Sequence, residues 1–208
     1  RKFPQSSPDL KVRWCSGYLK IDVSSAAIIN QPRFRGIRTL ILSGERGEES
    51  AARAKYPIFE PDRADLHNGK QFTRHVDRLR PIRDWKEQQV WDIIKRYRVR
   101  VHPCYYLGWA RCSCKFCIFG NKNQFASAAL ISPAQIAEVV ACEKEFNCTI
   151  KRNTDLPTLI ASGTPYQTIT EELKRLATGY NYDQPVILPP DEPWILPAGA
   201  FGENCGAI

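Results

Sequence analysis

The sequence predicts an α/β domain with a partly parallel sheet, followed by a helical segment that bears cysteines. Residues 37–42 are mostly apolar and rich in β-branched side chains, and they run into Ser43-Gly44. This pattern is typical of a buried parallel strand that ends in a turn. Later in the chain, helix-start signals are followed by apolar residues at helical spacing. Most of the eight cysteines lie in that later half.

The first half of the chain carries the signals for the sheet. An amphipathic stretch at 13–23 predicts a short helix before the strand, and residues 48–55 predict another after it. The segment Arg80-Pro-Ile ends a second extended region. Asp84, with Glu87 three residues later as in a capping box, predicts the start of a longer helix. The residues predicted to face inward on that helix are Val90, Ile93, Ile94 and Tyr97.

The second half is predicted to be mostly helical. Ser132-Pro133 opens a helix with Pro at its first position, and shorter helices are predicted at 156–162 and 167–178, each followed by Gly. From Asp183 the chain is rich in Pro, which predicts an irregular tail wrapped over the domain. The inward residues of the helix that starts at Pro133 are predicted to be Ile136, Val139 and Val140.

The composition is that of an ordinary globular protein, with 43% hydrophobic and 25% charged residues among 208. No stretch approaches the roughly 18 apolar residues of a membrane helix, and the first residues, which have no apolar core behind their charges, are not expected to be a signal peptide. We therefore expect a soluble, cytoplasmic protein with no membrane partner. The chain contains no Met, even at position 1, so we expect a fragment.

The net charge of the chain, +8, favours an anionic partner, with a solvated basic surface as the alternative.

The segment 43–53, Ser-Gly-Glu-Arg-Gly-Glu-Glu-Ser-Ala-Ala-Arg, is a candidate anion-binding site. Gly44 would let the backbone approach a ligand at the strand end, where open α/β sheets bind ligands. Arg46 and Arg53 offer fork-shaped donors suited to phosphate or sulfate, and Ser50 can add a hydroxyl donor. The alternative is a surface turn whose Glu and Arg side chains pair locally.

A dense cysteine segment is the second candidate site. Cys104, Cys112, Cys114 and Cys117 lie close together, and the last two form a Cys-x-x-Cys pair. Three interpretations compete: a metal or Fe–S site, a redox dithiol, and structural cysteines. The clustering favours metal or Fe–S. No thioredoxin-like βαβ pattern surrounds the pair, which weakens the redox interpretation.

The remaining reactive residues carry weaker signals. Taken alone, Cys15 is typical of a small buried residue and Lys20 of a solvated cation. Cys205, flanked by Gly near the C-terminus, could reach a reactive centre or be an ordinary terminal thiol. The histidines show no metal spacing among themselves, so they are interpreted as structural or solvated: His67, His75 and His102.

Together, four segments resemble the phosphoadenosine phosphosulfate (PAPS) reductase family of the adenine-nucleotide α-hydrolase superfamily. The likeness runs in order from about residue 10 to the C-terminus, and the combination is far more specific than any one part. The four segments are Arg13-x-Cys15-x-x-x-x-Lys20, Gly44-x-Arg46-x-x-Glu49-Ser50-x-x-Arg53, Arg80-Pro-Ile-x-Asp84-Trp85 with Val90-Trp91, and His102-Pro with Tyr106-x-Gly108-Trp and Ser113-Cys-x-x-Cys117.

The resemblance implies a Rossmann-like sheet and an enzyme that uses ATP or PAPS in sulfur metabolism, with Cys205 as a catalytic thiol. It also implies a 4Fe–4S cluster, with zinc as the alternative metal. The implied cluster ligands are Cys114, Cys117 and Cys15, and Cys112 is the fourth candidate, with Cys104 and Cys205 as alternatives. The implied nucleotide-binding residues are Lys20, Gly44, Arg46, Glu49, Ser50 and Arg53.

Two departures from the family pattern qualify the implied activity. The family's N-terminal phosphate-binding loop, Ser-Gly-Gly-Lys-Asp-Ser, is absent, which predicts a sheet that lacks its first strand, loop and helix. The loop is either missing from this fragment or carried by another chain. The reductase ending Glu-Cys-Gly-Leu-His appears only as Glu203-Asn-Cys205-Gly-Ala-Ile, without the His, and this argues against thiol-based sulfonate reduction.

Within the family, the endings Ile118-Phe-Gly and Pro-Ala-Gly-Ala-Phe-Gly-Glu are similar to those of bacterial or phage members and of the DndC-type subunit of DNA phosphorothioation. We expect residues 1–100 to form the rest of the nucleotide-binding domain and residues 101–208 the cysteine cluster and tail. DNA or a sulfur-donor protein is a possible partner. The alternative function is a non-catalytic subunit that binds DNA or a protein through the basic run 95–100, unless these cations only complement a helix C-terminus.

Overall fold

The computed structural model describes Phe3 and residues 14–202, and the chain forms two compact units. The sheet unit comprises Arg13–Val90, and the helical unit comprises Trp91–Ile208 together with Arg1–Val12. The functional division expected at residue 100 stays a prediction. Over the described residues, no helix is both long enough and apolar enough to cross a bilayer.

Three strands form the sheet of the sheet unit, in the order β1-β3-β2. They are β1 (Arg38–Leu42), β2 (Phe59–Pro61) and β3 (His75–Leu79). β1 runs parallel to β3, and β2 runs antiparallel to β3. The predicted α/β class with a partly parallel sheet is therefore confirmed. The sheet is consistent with a Rossmann-like fold, although the described part contains only three strands.

Strand β1 lies where the sequence predicted it, but it is not buried. Leu40 and Leu42 are 52% and 66% exposed, whereas Val76 on β3 is fully buried. The reason is position: β3 lies between two strands, while β1 lies at the edge of the described sheet. Apolar, β-branched composition predicts a strand but does not specify how many neighbours cover it.

Helical turns flank the sheet, and one of them differs from the prediction. The chain runs from α1 (Trp14–Ser16) through a π-helical turn (Gly17–Ile21) into α2 (Asp22–Asn30), which extends the predicted short helix. After β1 the single helix predicted at 48–55 is wrong. Two 3-10 turns, Gly47–Glu49 and Arg53–Lys55, replace it, because Ser50 between them is extended, with φ −170° and ψ 155°.

Helix α3 (Glu87–Arg96) begins three residues after Asp84. Glu48 Oε2, from the loop after β1, accepts the amide hydrogen of Glu87 at 2.7 Å. A carboxylate at this end also suits the positive end of the helix dipole. The loop after β1 and the start of α3 are thus tied together by one side chain.

The predicted inward face of α3 is wrong in part. Ile93 is 37% exposed and Tyr97 is 58% exposed. Trp91 is buried instead, and its ring meets that of Tyr105 edge-on at 5.5 Å between centroids. An indole buries more apolar area than an aliphatic side chain, so burial of Trp91 stabilises the helical unit more than burial of Ile93 would.

The helical unit confirms most of the predicted helices. The helices that follow α3 are α4 (Pro103–Tyr106), α5 (Lys122–Ile131), α6 (Pro133–Glu145), α7 (Leu156–Ala161) and α8 (Glu171–Thr178). α6 and α7 lie where predicted. α8 starts later than residue 167, at the N-cap Thr170. The inward residues expected on α6 are confirmed: Ile136 is buried, and Val139 and Val140 pack against the same core.

Helix α5 was not predicted, although it lies at the centre of the helical unit. Asn121 and Gln124 form a capping box at its start. Phe125 and Ser127 are almost fully buried. Small and apolar residues of α5 are distributed around the helix and do not form one stripe. The sequence therefore lacks the alternation of polar and apolar faces by which an amphipathic helix is predicted. The buried core around it comprises Ile118, Phe125, Ile136, Ile150 and Leu156.

The Pro-rich tail packs on the helical unit, as expected. The Arg100 amide donates to Val186 O at 2.7 Å, and the indole nitrogen of Trp194 donates to Val99 O at 3.1 Å. Gly199 lies so close to the cysteine-bearing segment that a Cβ there would come within 2.1 Å of Trp109 O. The tail is therefore an integral layer of this unit.

Replacement of Glu143 by Gln should destabilise the helical unit by about 2 kcal/mol. The buried carboxylate of Glu143 accepts the amide hydrogens of Ile150 and Leu156, each at 2.9 Å. An amide keeps one acceptor but turns an NH₂ group towards the other N–H, which loses a charge-assisted bond. Urea unfolding measures the loss. Glu138→Gln, at an exposed position of the same helix, is the control, and an equal effect of both changes would contradict this account.

Candidate functional site

The loop after β1 brings the predicted anion-binding residues together, but it pairs them with acids of the same loop. Arg46 Nη1 lies 2.8 Å from Glu48 Oε2, and Arg46 Nε lies 3.7 Å from Glu49 Oε1. Arg53 forms an ion pair with Glu49, and its amide donates to Ser50 Oγ at 3.2 Å. This is the local pairing that the sequence left open as an alternative. It holds two guanidinium groups around one carboxylate.

Of the two glycines in this loop, Gly47 is the tighter. A Cβ at Gly44 would meet only Ile82 Cδ1, at 3.8 Å. A Cβ at Gly47 would lie 3.3 Å from Ala54 Cα, and the Gly47 amide donates to Arg83 O at 2.7 Å. Gly47 therefore lets the loop close against the segment that follows β3. The role predicted for Gly44, close approach to a ligand, stays a prediction.

A buried arginine anchors the base of this loop. The side chain of Arg80, only 6% exposed, donates from Nε to Glu45 Oε2 and from Nη2 to Glu60 Oε1, both at 2.6 Å. Nη1 donates to Pro57 O at 2.8 Å, and the guanidinium lies over the ring of Tyr56. Sequence reasoning included Arg80 in a motif but did not assign it this role.

Burial and hydrogen bonding oppose each other at this ion pair. Burial raises the pKa of Glu45, but hydrogen bonds from Arg80 and Ser43 outweigh it and leave the pKa below its usual value. Burial likewise lowers the pKa of Arg80, and the bonds to Glu45 and Glu60 outweigh it and raise the pKa. Both groups are therefore charged, and the loop begins at a fixed point beside the carboxyl end of β1.

The cysteine segment lies in the helical unit and brings together a set that the sequence did not predict. Ligand atoms of His102, Cys104 and Cys112 all lie within 4.8 Å of one another. His102 was interpreted as structural or solvated because it was compared only with other histidines. The signal that could have identified it is the nearby Cys104, two residues along the chain.

Local structure explains why these three residues meet. His102 is the N-cap of α4, and its Nδ1 accepts the amide hydrogen of Cys104 at 3.1 Å. Gly108, with φ +105°, then reverses the chain, and the amide of Trp109 donates to Cys104 O at 3.0 Å. Only glycine adopts this φ readily. The segment after Gly108 runs back towards the start of α4 and brings Cys112 close to His102 and Cys104.

The two thiols of this set interact directly. The pKa of Cys104 is raised far above its usual range, first by a hydrogen bond with the Cys112 thiol and second by burial. Cys112 itself is exposed, and its amide donates to the hydroxyl of Tyr105 at 3.3 Å. The raised pKa means that the Cys104 thiol is protonated in the absence of a cation.

Two other predicted metal ligands, Cys114 and Cys117, form a tight turn, in which the Cys117 amide donates to Cys114 O at 3.1 Å. Cys117 Sγ accepts from Arg111 Nη2 at 3.5 Å. Cys15 belongs to the sheet unit, and Cys205 lies outside the described residues. The ligand roles of Cys15, Cys114 and Cys117 and the catalytic role of Cys205 stay predictions.

Lys20 lies in the π-helical turn before α2, and its side chain is exposed. Its predicted contact with a nucleotide also stays a prediction.

Comparison with known proteins identifies the family. Residues 3–119 match the phosphoadenosine phosphosulfate reductase domain, which is more than half of the chain. The chain belongs to the PAPS reductase family. The match covers the loop after β1 and ends just beyond Cys117, so both candidate sites fall within the family domain.

Two curated proteins are similar to this PAPS reductase family chain. One is an uncharacterised 37.8 kDa protein of Escherichia phage 186, 32% identical over 157 residues, which are 72% of this chain and 45% of the relative. The other is the adenosine 5'-phosphosulfate reductase of Allochromatium vinosum, 33% identical over 76 residues, or 36% of this chain and 26% of that enzyme. The chain thus spans less than half the length of either relative. No solved structure matches it significantly.

Proposed function

We propose that this chain is part of an enzyme that acts on an adenine sulfonucleotide and binds its anionic groups at the loop after β1. The observation that carries the proposal is the family match over residues 3–119. The similarity to an adenosine 5'-phosphosulfate reductase covers 36% of the chain and supports the same substrate class. The loop leaves β1 at the carboxyl end of a parallel strand pair, where open α/β sheets bind ligands.

The loop has the chemistry that a sulfate or phosphate group requires. Arg46 and Arg53 both pair with Glu49, so their guanidinium groups are already held close together. An incoming oxyanion would replace part of this pairing with fork-shaped, charge-assisted hydrogen bonds, each worth about 1.5–3 kcal/mol. In this proposal Glu49 positions the two arginines, Ser50 donates its hydroxyl, and Lys20 adds a cation.

The reaction is either a PAPS reductase-like reduction or an ATP-dependent sulfur transfer of the DndC type. Titration calorimetry of the chain with PAPS, adenosine 5'-phosphosulfate, ATP and AMP tests the proposal. We expect at least one sulfonucleotide to bind. Binding of sulfonucleotides without ATP would favour the reductase, and binding of ATP would favour sulfur transfer. Binding of none of the four would contradict the proposal.

A 4Fe–4S cluster, which would supply electron transfer, is the cofactor that the family resemblance implies. Cys114 and Cys117 lie on one turn, as a cluster requires. Cys112, however, lies with His102 and Cys104. The four-thiolate cluster of Cys15, Cys112, Cys114 and Cys117 therefore stays a prediction, and we assign no reaction step to it.

The alternative of a DNA-binding or protein-binding subunit rested on the basic run 95–100. Two of its cations serve the fold of the helical unit. Arg98 Nη2 donates to Pro189 O at 2.5 Å, and Arg100 Nη2 pairs with Glu192 at 2.6 Å. Arginines whose side chains already bond to the Pro-rich tail are poorly placed to neutralise the phosphates of DNA. We therefore favour the enzyme over this alternative.

A further inference from the structure

The set of His102, Cys104 and Cys112 has the ligand chemistry of a site for a soft divalent cation. Two sulfur atoms and one imidazole nitrogen lie within 4.8 Å of one another. In a tetrahedral zinc site, Zn–S bonds of about 2.3 Å and Zn–N bonds of about 2.0–2.1 Å place ligand atoms roughly 3.5–3.8 Å apart. The separations therefore exceed coordinating distances by at most about 1.3 Å, a shift within reach of small side-chain rotations.

The imidazole of His102 supplies the nitrogen of the set. Its Nδ1 accepts the amide hydrogen of Cys104 at 3.1 Å, so coordination through Nδ1 would replace this hydrogen bond, whereas coordination through Nε2 would keep it. A neutral imidazole is the form that binds metal ions. Zinc binds the thiolate forms of Cys104 and Cys112, so both thiols would lose their protons to water as the ion binds.

The backbone that carries the three ligands is held by contacts of its own. Cys104 packs against the buried cluster of Leu107, Trp109 and Ala128. The Tyr105 hydroxyl accepts the amide hydrogen of Cys112, and the ring of Tyr105 meets the buried Trp91 edge-on. Ligands fixed by such surrounding contacts lose little conformational entropy when a metal binds.

We propose that His102, Cys104 and Cys112 bind a single thiophilic divalent cation, for which zinc is the best fit. Two thiolates and an imidazole match zinc in ligand type, and three protein ligands leave a fourth position for water or another ligand. His102 and Cys112 are exposed, which gives the cation a path to the site. The bound ion would join the start of α4 to the returning chain at Cys112.

This site is independent of the proposed nucleotide loop, but it competes with the 4Fe–4S assignment for Cys112. The two assignments differ in their other ligands. The zinc site requires His102 and Cys104, whereas the cluster requires Cys114 and Cys117. Variants at these positions therefore separate the two without any assay of activity.

The test is metal analysis of the chain purified without oxygen, combined with cobalt substitution. We expect about one zinc per chain, and a cobalt form with the absorbance of tetrahedral thiolate coordination. Cys112→Ser keeps the side-chain size, and His102→Asn keeps a helix-capping group while removing the imidazole. Each should weaken zinc binding more than about 100-fold in a chelator competition, since loss of even an outer-sphere partner costs 10–100-fold.

Cys114→Ser is the matched control, because Cys114 is an exposed cysteine two residues from Cys112. It should leave zinc affinity unchanged, and circular dichroism checks that all three variants fold. Iron with sulfide in place of zinc would overturn the proposal, as would loss of the metal in Cys114→Ser. A protein that contains no metal when purified in this way, with or without a Cys104–Cys112 disulfide, would overturn it as well.

Discussion

Replacement of Arg80 by Met is expected to destabilise the sheet unit by about 3 kcal/mol. Arg80 is buried, and it is joined to Glu45 from the loop after β1 and to Glu60 from β2. Removal of one partner of a buried ion pair typically costs 3–5 kcal/mol, because it leaves the other charge uncompensated. We take the lower end, since the two carboxylates are 30% and 38% exposed and water can partly solvate them.

Hydrogen exchange of the β1 and β3 amides measures this loss within the sheet unit. Arg63→Met is the control, because Arg63 is 55% exposed and its pair with Asp22 has an N–O distance of 3.4 Å. It should change stability by less than about 0.5 kcal/mol. Similar protection in Arg80→Met and Arg63→Met would show that the buried network does not anchor the loop.

The pH dependence gives the same prediction a second readout. The pKa of Glu45 is lowered in the folded protein, so its contribution to stability is present above the ordinary Glu value of 4.5. It is lost as the pH falls through the lowered folded-state pKa. The difference in stability between the native chain and Arg80→Met should therefore narrow below about pH 4. A constant difference down to pH 3 would contradict this linkage.

The sequence predicted the sheet better than its surroundings. The position of β1 follows from local composition. Apolar and β-branched residues favour a strand, and the Gly that follows them favours its end. The exposure of Leu40 depends on which elements lie beside the strand, and no local pattern carries that information. The helix predicted at 48–55 failed for a related reason. The loop is instead held by the Gly47 amide, which donates to Arg83 O, and by Glu48, which accepts from the Glu87 amide, and these contacts to distant residues are tertiary features.

The candidate metal set shows the same limit at a functional site. The Cys-x-x-Cys spacing identified Cys114 and Cys117 as candidates, because a motif of neighbouring residues can be recognised from the sequence alone. His102 and Cys112 are ten residues apart, and they meet only because the chain turns back at Gly108. The glycine was visible in the sequence, but its positive φ was not. Motif spacing marked the segment as a candidate metal site, while turn geometry determined which side chains meet.

The double replacement of Arg46 and Arg53 by Gln is expected to abolish most nucleotide binding. Each guanidinium would contribute about 1.5–3 kcal/mol to an oxyanion contact, and 1.4 kcal/mol corresponds to a factor of ten. The expected loss is therefore about 100-fold or more in affinity for whichever sulfonucleotide the native chain binds. The single changes should each cost less than the pair, since both side chains share Glu49 in the ligand-free protein.

Calorimetric titration of the native chain, the two single variants and the double variant measures this loss. Lys55→Gln is the matched control, because it removes a cation from the same loop without touching the Glu49 pairs, and its affinity should change by less than about threefold. Hydrogen exchange of the loop checks that the double variant keeps its fold. If the double variant folds and binds sulfonucleotide as tightly as Lys55→Gln does, the anion site lies elsewhere, and the roles of Gly44, Ser50 and Glu49 in binding fall with it.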